Sequence, residues 1–430
     1  MKWIIEWTDL VVYLLLIGFG LYAYYFGQTP EWQALKRTVV KRPRYLVAAL
    51  ILLFYAGIGL LDCIHFKTNT QTMSALDYLM SSRSVEQEKT YSAPFSLRLY
   101  DAELIKKEGH LQQVYPRLNF AGVGLKDSSD SQVIDILIRI SKALGLGLSL
   151  TGLLYLFCFL RWRQYFCLEN KRLLTAFYVT SGVLICLVCL SGFLMFEYHI
   201  LGTDKVGRDV FYMTIKSIRT GLVLGTVTSL FMLPFALFFG LLAGYLRGWL
   251  DDLIQYLYTT LNAVPGVLLI AALMLSLQTK IETDADLRLL LLCMVLGLTS
   301  WTTLCRLIRA ETFKLREAEF IQSAIGMGVG KTRIMLRHIL PNLMHIVLIT
   351  VVLDFSGLVL AETILSYVGV GVDPSTYSWG NLINASRLEM ARDPMVWWAL
   401  FGSLVTMFFL VFSVNIFSDA MQEAFNPKAV

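Results

Sequence analysis

Charge is scarce in this chain of 430 residues: Asp, Glu, Lys and Arg make up 16% of it, against 56% apolar residues and a mean hydropathy of +0.60. A soluble domain carries about 25% charged and roughly 45–50% apolar residues. One water-soluble core cannot hide this excess, and lipid is its natural solvent. The seven cysteines show no framework spacing. Cys158, Cys186, Cys189, Cys293 and Cys305 fall in or at the ends of apolar runs, and Cys186 and Cys189 form a CxxC inside LICLVCL, a lipid-buried helix face rather than a metal knuckle or redox turn. The five histidines are scattered, without metal-ligand spacing. No Ser–His–Asp set, paired carboxylate or metal triad stands outside the apolar runs, so nothing argues for catalysis, a bound metal or a cofactor. The net charge of +5 is modest, and its basic clusters lie between apolar runs. That is the pattern of membrane topology and not of a nucleic-acid partner.

What the chain does have is long apolar runs. Nine of them, of roughly 17–28 residues, are long enough to cross a hydrocarbon core of about 30 Å as helices: 8–27, 44–65, 143–160, 173–197, 219–246, 253–278, 288–307, 343–366 and 396–418. The first follows MKWIIEWTD and lacks a small-residue cleavage site after it, so it reads as a retained helix. Lys36, Arg37, Lys41, Arg42 and Arg44, the basic loop 161–172, Arg247 in the turn 246–252, and the basic segment 306–342 all fall on one side if nine spans alternate. Glu282, Asp284 and Asp286 fall on the other. The positive-inside rule then predicts an external N-terminus and a cytoplasmic C-terminus.

The runs divide the chain into N-terminal membrane helices (1–65), a polar extracytoplasmic domain or loop (66–142), a third membrane helix with a cytoplasmic loop (143–172), and a six-span core (173–430). Within 66–142, stretches around Tyr91–Tyr100 and Val114–Phe120 look β-like and Val133–Ile140 looks helical. Segment 367–395, rich in Gly, Pro and aromatics, is expected at the outer membrane surface. The fold class is an all-α polytopic membrane protein with an extracytoplasmic insert.

The long basic segment reads RLIRAETFKLREAEFIQSAIGMGVGKTRIMLRHILPN. Leu315, Ala318, Ile321 and Ile325 recur at helical spacing and suit two short helices. Gly326, Gly328 and Gly330 end the pattern, and Pro341 sits at the mouth of the next span, where a missing N–H does little harm. Gly330-Lys331-Thr332 imitates the end of a phosphate-binding loop, but Ile325 stands where that loop needs glycine, and no strand precedes it.

Gln322-Ser323-Ala324, Gly328, Ile339-Leu340-Pro341 have the spacing of the "EAA" loop, and the chain resembles the membrane-spanning permease subunits of binding-protein-dependent ABC importers. The family's Glu-Ala is Gln322-Ser323 here. His199-Ile-Leu201-Gly202-Thr203-Asp204-Lys-Val-Gly207-Arg208-Asp209 is similar to the HPLGTDxxGRD motif of the C-type permease of dipeptide and oligopeptide systems, with Ile200 in place of Pro. Arg219-Thr-Gly, Ala243-Gly-Tyr245, Asp252, Pro265, Arg306 and Arg309 follow in that family's order. Glu362-Thr-Ile-Leu-Ser-Tyr-Val-Gly-Val-Gly371 resembles EAxLSFLGLG; Ser378-Trp-Gly380 and the closing Asp419…Ala424-Phe-Asn-Pro427 also match. The resemblance covers about 173–430, with KRPRYLVAALILLF at 41–54 similar to a permease N-terminus.

This resemblance implies a six-helix type I importer core preceded by about three additional membrane helices, in a multi-pass protein of the inner membrane. It implies four kinds of partner: a second homologous permease, two ATP-binding subunits that alone bind and hydrolyse ATP, an extracytoplasmic solute-binding protein, and the lipid bilayer. Glu317, Phe320, Gln322, Ser323, Ala324, Gly328, Ile339, Leu340 and Pro341 would form the ATPase-coupling loop. Leu201–Asp209 would be an ion-paired turn at the base of the fifth span or a contact for the solute-binding protein. Di- and oligopeptides are the implied cargo; nickel chelates and glycosides are carried by close relatives. Residues 66–142 are expected to contact the binding protein or the partner permease.

Two acids lie inside a span, where each costs about 2.5–3.5 kcal/mol at mid-helix. Asp354 is either a pathway or packing contact facing the partner permease, or a water-accessible group bonded to Ser356. Glu362, nearer the outer end, is either a gate-side contact or an interfacial carboxylate. Pro234 and Pro265 read as packing kinks. A channel or secondary transporter is the rival class, but it needs no long docking loop, and inverted repeats are not visible.

Overall fold

Long apolar runs have one way to satisfy their backbone in lipid: internally, as helix. The computed structural model describes residues 2–26, 30–67, 72–80, 87–107, 110–122, 125, 129–162, 171–278 and 284–425. Each of the nine expected runs is mostly helical there, in Trp7–Phe26, Pro43–Asp62, Ser129–Trp162, Lys171–Met195, Val210–Leu246, Trp249–Ala263 with Gly266–Gln278, Ala285–Arg316, Leu340–Val368 and Trp398–Phe425, with the second run ending in the strand His65–Lys67. Among the described residues, six helices are long and apolar enough to cross a membrane: Pro43–Asp62, Arg172–Met195, Val210–Leu246, Ala285–Arg316, Lys331–Val368 and Trp398–Phe425.

The expectation of nine uninterrupted spans is corrected in one place. Run 253–278 is two helices bent by 87°. Pro265 lacks an N–H and drives Val264 into extended backbone (φ −86°, ψ 131°), so the first helix stops at Ala263. Counted as one crossing, the pair makes a seventh. The first run lies in the helix Trp7–Phe26, whose 20 residues match the length of a crossing. Run 143–160 is the second part of Ser129–Trp162, which also absorbs the helical pattern at 133–140. Pro234, by contrast, sits inside the unbroken Val210–Leu246 helix. Glu282, most of the basic loop 161–172, Asn426 and Pro427 lie outside the described residues.

The chain forms two compact units. The first comprises Met1–Ile4, Arg37–Arg219 and Tyr377–Ser413. Its strands Lys2–Ile4, His65–Lys67 and Thr72–Ser74 make a three-stranded antiparallel sheet in that order. Glu103–Lys107 and His110–Val114 make a separate hairpin. The β-like stretches expected around Tyr91–Tyr100 and Val114–Phe120 carry only single bridges, Ser92 to Leu99 and Arg98 to Arg117. Phe95 at φ +58° turns the chain back before a ladder can extend. The core of this unit joins Leu76, Tyr91, Val210, Met213, Val396 and Trp398. Its buried indoles find backbone acceptors, as amphipathic rings must: Trp379 Nε1 donates to the Thr214 carbonyl at 3.2 Å and Trp398 Nε1 to that of Thr203 at 3.0 Å.

The second unit comprises Ile5–Lys36, Thr220–Thr376 and Val414–Val430. Its helices approach closely where side chains are small. A Cβ on Gly240 would stand 2.8 Å from the Ile308 side chain, and one on Gly244 2.8 Å from the Arg309 carbonyl. Around this crossing Met232, Trp301, Leu304, Ile308, Ile339 and Leu343 form one apolar core.

Candidate functional site

The Leu201–Asp209 turn belongs to the first unit. Gly202 and Gly207 adopt φ +65° and +79°, a region that side-chain-bearing residues avoid. Asp204 closes the turn, accepting the N–H groups of Val206 (2.9 Å) and Arg208 (2.8 Å) and pairing with the Arg208 guanidinium at 2.9 Å. Asp209 caps the Val210–Leu246 helix, accepting the Tyr212 N–H at 3.0 Å through Oδ1. Its Oδ2 meets His199 Nδ1 at 2.6 Å. Leu201 packs against the backbone of Gly402.

Residues 88–95 lie directly on this turn. The Thr203 N–H donates to the Ser92 carbonyl (3.1 Å), the Ser92 N–H to Thr203 Oγ1 (2.7 Å), and the Glu88 N–H to the Gly207 carbonyl (2.9 Å). Glu88 Oε1 is 3.8 Å from His199 Nε2, and the Glu88 carboxylate also accepts the N–H groups of Asn119 and Phe120 at 2.9 and 2.8 Å. Burial works to raise the Glu88 pKa, but His199 and these two donors outweigh it and hold the carboxyl below its ordinary range. The sequence named Gly202, Thr203, Gly207 and Asp209 but not Glu88; nothing local marks a carboxylate more than a hundred positions away.

A second attachment lies close by in sequence. Lys216 Nζ contacts both Asp77 oxygens at 2.6 and 2.7 Å, and Tyr212 OH donates to Asp77 Oδ1 at 2.7 Å. Ser74 bonds Asp62 at 2.6 Å. Burial pushes the Asp77 carboxyl upward, yet Lys216 prevails and its pKa is lowered.

The expected coupling loop lies in the second unit. Ala285–Arg316 ends where Ala318 turns extended, and Glu319–Gly326 forms a short helix. Ile321 and Ala324 are buried in the apolar core, while Phe320 (47% exposed) and Met327 (77%) face outward. Met327, absent from the motif pattern, shares a face with Phe320 by its spacing of seven. Gln322 Nε2 donates to the Arg316 carbonyl at 2.9 Å and Ser323 Oγ to that of Glu319 at 2.8 Å. Glu317 pairs with Arg247 at 2.6 Å. Gly328, at φ +75°, reverses the chain. Lys331–Ile334 then leads through a π turn, Met335–Ile339, into Leu340–Val368, with Ile339 buried, Leu340 half-buried and Pro341 exposed in the first turn. Arg309 grips Asp251 with both Nε and Nη2, and its guanidinium lies 4.8 Å from the Phe313 ring.

Of the two acids in the span, Asp354 is half-buried and has no hydrogen-bond partner among the described residues; Ser356 donates instead to Asn415 at 2.9 Å. Glu362 is buried and accepts from Ser366 Oγ at 2.7 Å, while the same Ser366 oxygen accepts the Val372 N–H at 3.2 Å. That chain of bonds braces the helix end at Gly369, where φ is +87°.

The chain is a helical polytopic protein with a short helix, Glu319–Gly326, between two of its long apolar helices. Residues 236–430 match the family described as binding-protein-dependent transport system inner membrane component. A peptide permease protein of Brucella suis is 32% identical over 244 residues, covering 54% of this chain and 74% of the relative. The oligopeptide transport system permease protein OppC of Haemophilus influenzae is 29% identical over 231 residues, covering 54% and 71%. OppC of Mycobacterium tuberculosis is 31% identical over 231 residues, covering 54% and 76%. The chain belongs to this family of inner membrane components of binding-protein-dependent transport systems. It is therefore a multi-pass inner-membrane transport subunit of the ABC permease class.

Proposed function

We propose that this subunit and a homologous permease form the translocation path of an ATP-driven importer for di- and oligopeptides. A solute-binding protein delivers cargo at the outer surface. Two partner subunits bind and hydrolyse ATP on the cytoplasmic side, so this chain needs no cofactor of its own. The N-terminus is external and the C-terminus cytoplasmic. Segment 173–430 is the importer core, 306–342 its coupling loop, and 66–142 an extracytoplasmic elaboration.

The observation that carries the reading is the helix Glu319–Gly326. It is anchored inward by Ile321 and Ala324 and turned outward at Phe320 and Met327. Exposed apolar residues on a polar loop mark a docking surface. The buried pair makes the helix move as one body with the apolar core, so a push on Phe320 reaches the membrane helices. Gln322 and Ser323 satisfy themselves locally, which leaves apolar contact at Phe320 and Met327, in place of the family's glutamate, as the grip on the ATPase. Coupling requires that this grip differ between two states.

The test is gentle purification of the tagged complex with mass spectrometry of its companions. Recovery of two ATP-binding subunits and a second permease, diminished when Gln322–Gly328 is disrupted, is the expected result. A stable homo-oligomer without an ATPase would move the channel or secondary carrier to the front.

A further inference from the structure

The outer turn is largely covered. A Cβ on Gly202 would stand 2.2 Å from the Ser92 carbonyl oxygen, and one on Gly207 1.8 Å from that of Glu88. Gly202, Thr203, Gly207 and Asp209 are all buried. Any protein that approaches this turn therefore meets residues 88–101 together with the side chains the turn still exposes, Lys205, Val206 and the ion-paired Arg208.

These elements build a cleft of about 540 Å³. Thr90, Tyr91 and Asp101 line it from the insert, Lys205 from the turn, and Glu389 and Arg392 from the segment before the last span. Its walls are fixed. Arg392 pairs with Asp101 at 2.9 Å, approaches Glu389 at 3.7 Å and lies 5.2 Å from the Tyr91 ring. Tyr100 OH donates to the Met395 carbonyl at 3.2 Å. Lys205 stands apart: it is exposed and has no ion-pair or hydrogen-bond partner among the described residues. Leu388, 74% exposed, forms an apolar rim. A held polar cleft with an apolar lip and a cation, Lys205, left unpaired among the described residues fits an acidic loop beside an apolar side chain, with the cation steering approach and setting register.

We propose that this composite cleft is the docking surface for the solute-binding protein, with Lys205 receiving a carboxylate of that protein and Leu388 an apolar side chain. Transport in this family depends on a binding protein, and the proposal rests on the external placement of 66–142 given above. It takes recognition away from the turn's own glycines and aspartates, which are structural, and gives it to the insert and to Lys205. The second permease is the competing occupant of this surface.

The test uses the whole importer in lipid nanodiscs and its companion binding protein, with affinity read by surface biosensor. Lys205→Glu, and separately Leu388→Asp, should each weaken binding at least about tenfold, because like charges brought together at an interface cost several kcal/mol. Lys106→Glu, the same charge change on the hairpin outside the cleft, should leave affinity within about twofold. Unchanged affinity in Lys205→Glu and Leu388→Asp overturns the proposal. So does loss of the second permease from the purified complex in either variant, which would give the surface to that subunit. Failure of the unaltered complex to bind any solute-binding protein, or to contain an ATPase, would instead overturn the importer reading itself.

Discussion

Gly207 lies under Glu88: the Gly207 carbonyl accepts the Glu88 N–H at 2.9 Å, and a Cβ on Gly207 would fall 1.8 Å from the Glu88 carbonyl oxygen. At this point two segments separated by more than a hundred residues touch through backbone, so neither can yield there by a change of rotamer. Gly207→Ala must therefore separate them. Left-handed backbone costs about 1–2 kcal/mol in a residue with a side chain, and the displaced hydrogen bonds add to it. The variant should show faster hydrogen exchange across residues 87–122 and a lowered melting temperature. Gly57→Ala, with nothing within 4 Å of its Cβ, should show neither.

Lys216 and Asp77 form a second attachment, with Asp77 buried and Lys216 half-buried (9% and 16% side-chain exposure). Removing one partner leaves an uncompensated charge, worth about 3–5 kcal/mol. Lys216→Met is expected to destabilise the protein by about that much. The double change Lys216→Met with Asp77→Leu should recover most of the loss, since a buried pair replaced by apolar groups is often neutral. Thermal unfolding in detergent, followed by tryptophan fluorescence, checks the sequence of stabilities.

Acid should loosen the insert. The ordinary values for Asp77 and Glu88 are 3.8 and 4.5, and both carboxyls are lowered in the folded protein. A depressed folded pKa contributes stability that is fully present above the ordinary value and is lost as pH falls through the folded one. Protection of residues 87–122 from proteolysis is thus expected to hold from neutral pH to about pH 5 and to fall below it. In Asp77→Asn the protection should start lower and depend less on acid. An identical acid profile in that variant would contradict the assignment.

On the coupling helix the two faces should respond differently. Phe320→Ala with Met327→Ala removes apolar surface that is largely outward and leaves the buried Ile321 and Ala324 in place, so the subunit should remain folded while retention of the ATP-binding subunits falls. Ile321→Asp puts a charge into the apolar core, where an unpaired ion costs several kcal/mol, and should unfold the loop outright. Co-purification and melting temperature, measured together, separate the two outcomes.

The helices were legible because apolar length is a local property; each of the nine runs is mostly helical. The break at Ala263 was not, because Pro265 alone does not say whether the helix runs on through the proline, as it does at Pro234, or the chain turns by 87°. Gly202 and Gly207 announced a turn. Their deeper reason, the backbone of Ser92 and Glu88 pressed against them, is a long-range pairing without any local periodicity. Phe320 was named from the motif and Met327 was not, since the motif marks spacing and not exposure. Asp354 declared itself by being charged in an apolar run, and the bond expected from Ser356 goes to Asn415.

The most direct measurement is uptake of a labelled oligopeptide into proteoliposomes holding this subunit with its permease and ATPase partners and loaded with a companion binding protein. The peptide is predicted to accumulate only when Mg-ATP is present on the ATPase side, and to stop accumulating, with ATPase activity no longer stimulated by the binding protein, in the Phe320→Ala, Met327→Ala variant. Accumulation without ATP, driven by an imposed ion gradient and unaffected by that variant, would contradict the account.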